Sequence, residues 1–264
     1  MDTQNLERTY LFDKRTNILA LDFDGVIADS INECLVIGHN SFAVFEGRDD
    51  KIDELRVLDE ELVAESKRLR SFIRSGEDYV YINLALREKA DIQNQADFDR
   101  FTEKYSDLRP TFLDIFYHER TRFSKEKMKQ WVQLNPLYPG MKEFLLRFSP
   151  KEHLFIITTK KTFFVNLILS AHKINLPESH LFHANSSSPK KKIISDLLRS
   201  HSIDPHRFYF VDDQVDTLLK VRDVGVHCVF AEWGYNNAEQ KDKALQAGIT
   251  CMTLNEFYDF FQGD

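Results

Sequence analysis

Short apolar runs that stop abruptly at acids or hydroxyls set the rhythm of the chain. The first, Ile18-Leu19-Ala20-Leu21, ends in Asp22-Phe23-Asp24-Gly25 and reads as a buried strand closed by a turn. A helix is expected from about Ser30. His153 to Ile157 predicts another buried strand, after which Phe164, Leu167, Ile168 and Ala171 stand at i, i+3, i+4 and i+7, one apolar face of a helix. Phe182 marks a short third strand. Ile193, Ile194, Leu197 and Leu198 mark a helix closed by the polar turn through Asp204-Pro205. Phe208 to Val211 predicts a strand ending in Asp212-Asp213; Val215, Leu218 and Leu219 begin the next helix, with Gly225 placed to cap it. His227 to Phe230 and Thr250 to Met252 predict two further strands, each followed by helical sequence. Strands alternating with helices in this way predict an α/β protein with right-handed crossovers and a doubly wound parallel sheet.

Residues 31–135 break that rhythm. Leu55, Leu58, Leu62, Leu69 and Ile73 keep a helical period through charged sequence, Phe98, Phe101, Tyr105 and Leu108 do the same, and Pro110 is placed to start another helix. No strand is evident there. The expected organisation is an α/β core from 1–30 and 136–264 with a helical domain, 31–135, inserted after the first strand. Pro136, Pro139 and Gly140 mark the return to the core, followed by a helix with Met141, Phe144, Leu145 and Phe148 on one face.

Composition narrows the function classes. The chain has 264 residues, 42% hydrophobic and 29% charged, with 22 phenylalanines and few glycines, which favours packed helices over disorder. A net charge of −7 with scattered basic residues gives no footprint for nucleic acid. Cys34, Cys228 and Cys251 form neither a disulfide framework nor a zinc pattern and read as small core residues, in keeping with a reducing compartment. The polar start and the absence of a long apolar run predict no signal peptide, no membrane span and a cytoplasmic location. The oligomeric state is left open.

The candidate chemistry lies at strand ends. In an open α/β sheet, ligands bind at the carboxyl edge of the strands. Asp22 and Asp24, at i and i+2, leave the same face of an extended backbone there. Gly25 permits a sharp turn that brings backbone N–H groups toward a bound anion. Asp212 and Asp213 repel each other unless a cation or proton intervenes, and together with the first pair they make hard-oxygen ligands suited to magnesium; Asp213 is also placed to cap a helix. Thr158 and Thr159 close a strand and can donate hydroxyls to a phosphoryl oxygen or cap the next helix. Lys190 opens a helix, where its charge suits a phosphate. His180, His183, His201 and His206 have no partners that complete a zinc set.

In this order these elements resemble the haloacid dehalogenase-like (HAD) hydrolase superfamily. Its first motif is similar to Leu21-Asp22-Phe23-Asp24-Gly25-Val26, its second to Ile156-Ile157-Thr158-Thr159 and its fourth to Val211-Asp212-Asp213 with Asp216 beyond. For the third, Lys190 matches best, with Lys191 and Lys192 as alternatives. Tyr138-Pro139-Gly140 and Glu232-Trp233-Gly234-Tyr235 resemble segments of phosphoglycolate-phosphatase-like members, in which a helical cap follows the first motif. The resemblance covers residues 16–30 and 136–262. It implies a Mg2+-dependent phosphatase acting on a small phosphorylated metabolite, with Asp22 as nucleophile and Asp24 as acid and base. It further implies that Asp22, the Asp24 backbone carbonyl and Asp213 hold magnesium, with Asp212 direct or through water, and that Thr158 and Lys190 hold phosphoryl oxygens. Gly25, Thr159 and Arg74 are the expected substrate contacts; Ser75, Gly76, Arg109, Arg120 and Arg122 are further candidates. An acid at position 24 argues against a dehalogenase. A phosphomutase of the same superfamily and a non-catalytic HAD-like binding protein are the alternatives.

Overall fold

The strands pair in the order β3-β2-β1-β4-β5-β6, all parallel, with β1 (Ile18–Leu21) and β4 (Phe208–Asp212) at the centre. The outer strands are β2 (Leu154–Thr158), β3 (Leu181–His183), β5 (His227–Ala231) and β6 (Thr250–Met252). The computed structural model describes residues 12–58 and 60–262; residues 1–11 of the expected segment 1–30 lie outside the described residues. Each strand fell where an apolar run predicted it, because a strand covered on both faces needs apolar residues at successive positions. Period-two alternation then sorts those residues between two cores. Leu19, Leu21, Ile156 and Val211 belong to one, and Ile18, Ala20, Ile157 and Phe210 to the other.

Among its described residues the insertion has helices joined by loops and no strand: α1 (Ile31–Phe45), α2 (Glu60–Leu69), α3 (Asp78–Arg87), α4 (Gln95–Lys104), α5 (Arg109–Glu126) and α6 (Met128–Gln133). Two expected helical periods break. The run from Leu55 to Ile73 is a 3-10 turn, then α2, then a second 3-10 turn at Arg70–Phe72; the run from Phe98 to Leu108 ends as α4 and a 3-10 turn. Sequence periodicity passed over α3, although Tyr79, Val80, Tyr81 and Ile82 are all buried in it, because it is apolar on several sides and shows no stripe. Pro110 does sit in the first turn of α5. Entry to and exit from the insertion are adjacent. Ala28 bridges Leu137, the Asp29 N–H donates to the Pro136 carbonyl at 2.8 Å, and the Tyr138 N–H donates to the Ile27 carbonyl at 3.0 Å.

The remaining helices are α7 (Met141–Arg147), α8 (Thr162–Ala171), α9 (Lys190–Ser200), α10 (Val215–Val221), α11 (Ala238–Gln246) and α12 (Leu254–Phe261). Residues of α9, α10 and α11 contribute to one core, while the insertion, α7, α8 and α12 build the other. Among the described residues, no helix is long and apolar enough to cross a membrane.

Candidate active site

The chain runs from β1 outward through β2 and β3, then returns to the far side of β1 as β4. A crevice opens at such a reversal, at the carboxyl ends of the strands. Leu21 pairs with Val211, and the Asp22 N–H donates to the Val211 carbonyl at 2.9 Å, so the ladder continues one residue past β1 and sets Asp22 level with Asp212. Carboxylate oxygens of Asp22, Asp212 and Asp213 all lie within 4.8 Å of one another, and all three residues are buried. Lys190, the first residue of α9, places Nζ 2.8 Å from both Asp22 Oδ2 and Asp212 Oδ2. The Phe23 N–H donates to Asp22 Oδ1 at 2.7 Å.

This cluster is electrostatically incomplete. Burial drives the carboxyl of Asp212 up to about 6 against the pull of Lys190, and that of Asp213 up to about 7 against Arg70, with neighbouring carboxylates adding to both. Burial works against the charge of Lys190, but Asp212 and Asp22 outweigh it and hold the lysine charged. Three buried acids against one lysine form a hard-oxygen donor set with charge to spare, which fits a hard divalent cation. The backbone keeps that set open. A Cβ on Gly25, whose φ is +88°, would fall 2.3 Å from Asp213 Oδ2, and one on Gly234 would fall 2.3 Å from Asp213 Cβ. The Tyr235 N–H meets Asp213 Oδ2 at 2.7 Å. Trp233 Nε1 donates to the Val26 carbonyl at 3.0 Å and the Tyr235 hydroxyl donates to Asp29 at 2.7 Å, so the Trp-Gly-Tyr segment clamps the turn after β1.

Asp24 stands apart from the cluster. Its Oδ1 is 3.1 Å from Nζ of Lys160, whose side chain is fully buried and lies 3.9 Å from Glu33 Oε2. Burial would raise the Asp24 carboxyl, but Lys160 above all, with smaller help from Ser30 and Arg120, brings it below its ordinary value. Glu33, in α1, takes two hydrogen bonds from Arg120 of α5 at 2.8 and 2.9 Å and one from Trp131 Nε1 of α6 at 3.0 Å. The turn after β2 is thereby joined to three helices of the insertion.

The predicted residues divide accordingly. Asp22, Asp24, Asp213, Thr159, Lys190 and Arg74 line one cavity of about 90 Å³, walled on its other side by the insertion. Of the three lysines only Lys190 turns inward; Lys191 pairs with Asp223 and Lys192 with Asp196 at the surface. Thr158 is buried at the end of β2, where its hydroxyl accepts the Lys160 N–H at 3.1 Å. Gly25 donates its own N–H to the Ala28 carbonyl, so its part is to leave room for Asp213 rather than to bind an anion. Arg74 reaches Gln214 at 2.7 Å, Gln95 at 2.6 Å and Asp216 at 3.3 Å, and so ties the insertion to α10. Ser75 and Gly76 also reach the cavity, whereas Arg109 pairs with Glu77 and Asp78, and Arg122 with Glu119 and Glu126.

Lys160, Glu33 and Arg70 escaped sequence reasoning. The signals were an acid inside the apolar run Ile31–Ile37, and a lysine two residues beyond a strand-end threonine; Arg70, in a charged stretch, had none.

No protein-family model matches this chain. No curated protein matches it. Solved structures do. A putative phosphatase from Clostridium difficile is similar over 93% of this chain and 98% of its own, at 16% identity and a TM-score of 0.60. A haloacid dehalogenase-like hydrolase from Streptococcus pneumoniae covers 94% of this chain and 98% of its own, at 16% identity and a TM-score of 0.56. A predicted phosphoglycolate phosphatase from Haemophilus somnus covers 84% and 88%, at 17% identity and a TM-score of 0.51. At this identity the likeness is one of fold. The fold is the haloacid dehalogenase-like one, a Rossmann-like core with helices inserted after its first strand.

Proposed function

We propose that the protein is a magnesium-dependent phosphatase that hydrolyses a small phosphorylated metabolite through an aspartyl-phosphate on Asp22. The observation that carries this reading is the buried Asp22, Asp212 and Asp213 cluster closed by Lys190, with Asp24 two residues beyond the nucleophile and on a separate cation. In this reading residues 31–135 form a cap over a core made of 1–30 and 136–264.

Asp22, Asp213, the Asp24 backbone carbonyl and Asp212 would hold magnesium, which neutralises phosphate charge so that a carboxylate can approach it. The chain's own groups do the rest. Lys190 holds phosphoryl oxygens and remains charged as the phosphate enters; Thr159, which lines the cavity where the buried Thr158 does not, takes the part expected of Thr158. An Asp22 oxygen attacks phosphorus while the ester P–O bond breaks, and Asp24 gives its proton to the leaving oxygen. Water then attacks the phosphorus and yields its proton to Asp24 as the bond to Asp22 breaks and inorganic phosphate leaves. Lys160 keeps Asp24 ionised in the free protein, ready for the second step. An incoming phosphate dianion near the pair raises the proton affinity of Asp24, which takes up a proton from solvent as the ester binds and carries it into the first step.

Phosphate release from 4-nitrophenyl phosphate with magnesium, its loss in EDTA, and its loss in Asp22→Asn are the expected results. No release under any divalent cation would overturn the proposal.

A further inference from the structure

The insertion carries one cation to the cavity that no carboxylate bonds. Arg70 begins the 3-10 turn after α2 and is 8% exposed. Among the described residues its guanidinium makes neither hydrogen bond nor ion pair, and its buried Nε has no partner. What it touches is aromatic: the Tyr235 ring lies 4.0 Å below the guanidinium carbon and the Tyr79 ring 5.8 Å away. The Asp213 carboxylate acts on it through space without bonding. The Tyr79 hydroxyl, in the same cavity wall and 3% exposed, makes no hydrogen bond of good geometry and has only the weak contact of the Cys34 thiol.

The other two arginines lining this cavity are occupied. Arg74 is held by Gln214, Gln95 and Asp216, and Arg120 is bound bidentately by Glu33. Ring faces offset part of the cost of burying the Arg70 charge, but they accept none of its N–H donors in a strong bond. Buried donors are ordinarily satisfied, so two orphaned groups on one cavity wall point to a ligand atom between them. A planar guanidinium fork matches the two oxygens of a carboxylate or phosphoryl group.

We infer that Arg70, with the Tyr79 hydroxyl, receives a second oxyanion of the substrate. This rests on the phosphatase reading and names its substrate class: a phosphate ester that ends in a carboxylate or a further phosphoryl group. The two anions find different cations, Lys190 for the phosphate at Asp22 and Arg70 for the other, which fixes the direction in which the ester lies.

The test compares kcat/KM for 2-phosphoglycolate, for ethanediol bisphosphate and for ethyl phosphate, which ends in a methyl group. Wild type should prefer one of the first two over ethyl phosphate by about tenfold to a hundredfold, the worth of a charge-assisted hydrogen bond. Which of the two is preferred separates carboxylate from phosphoryl recognition. Arg70→Met should bring that ratio close to one, Arg70→Lys should keep part of it, and Tyr79→Phe, which retains the ring, should lower it several-fold. A wild type without the preference, or an Arg70→Met variant that retains it, overturns the inference. Should Arg70→Met fail to fold, the Tyr79→Phe ratio decides, and an unchanged ratio there overturns it equally. If wild type releases phosphate from 4-nitrophenyl phosphate but from none of the three, the inference falls and the phosphatase reading stands; if it releases phosphate from none of the four under any divalent cation, the phosphatase reading falls. Calorimetric titration with the same three then decides the subsite, and equal affinities overturn it.

Discussion

Asp24 and Asp22 are two residues apart, yet the fold gives them different partners, and that separation makes two roles possible. Asp22 shares Lys190 with Asp212, whereas Asp24 faces Lys160 at 3.1 Å. Replacing the Asp24 carboxyl by an amide keeps its shape and removes its proton chemistry. Asp24→Asn is expected to lower kcat by about 10²- to 10⁴-fold while magnesium-dependent binding of phosphate esters persists. Near-wild-type turnover would remove Asp24 from the mechanism. The motif at Asp22 to Gly25 was legible because strand-end acids and a glycine are conspicuous after four apolar residues. Lys160 was not, because no one-dimensional pattern says which lysine beyond a strand folds back beneath it.

At the scale of elements, the link from β2 to the insertion runs through Glu33. It is fully buried, and its charge is shared by Arg120 of α5 and Lys160 beyond β2. Burial alone would raise the Glu33 carboxyl, but Arg120 and Lys160 hold it below its ordinary value. Removing one partner of such a set leaves buried charges unpaired. Glu33→Ala should therefore destabilise the protein by about 3–5 kcal/mol in urea unfolding. A change below about 1 kcal/mol would show that the network contributes no net stability. The sequence did carry a trace of this contact: Arg120 shares the helix face of Phe112, Phe116 and Phe123, an apolar stripe in which a cation needs a partner. It could not say that the partner was Glu33, 87 residues earlier.

For the whole molecule, the acid cluster is expected to make stability depend on pH and, on the proposed reading, on metal. In the folded, metal-free protein Asp212 and Asp213 keep their protons to about 6 and about 7 because burial disfavours their charge. An unfolded aspartate releases its proton near ~3.9. Between those limits the folded state binds more protons, so stability falls as pH rises, by up to about 1.4 kcal/mol per pH unit for each group. Thermal melts in EDTA should accordingly give a higher Tm at about pH 5 than at about pH 7.5. Added magnesium should raise Tm most at the higher pH, where the carboxylates are free to ligate. A metal-free protein more stable at the higher pH would contradict the cluster's electrostatics.

The sequence by itself determined the sheet. Apolar runs specified its six strands, five of them ending in acids or hydroxyls, and the long helical stretch between the first two marked the insertion, because burial in a sheet covered on both faces writes itself locally as continuous apolar sequence. Only the tertiary structure decided the rest. The order of strands brought Asp22 beside Asp212, the turn of α9 selected Lys190 over its two neighbours, and the insertion paired Arg74 and Arg120 while leaving Arg70 bare. Those choices depend on contacts between residues far apart in the chain, and no local pattern encodes which distant partner a charge will meet.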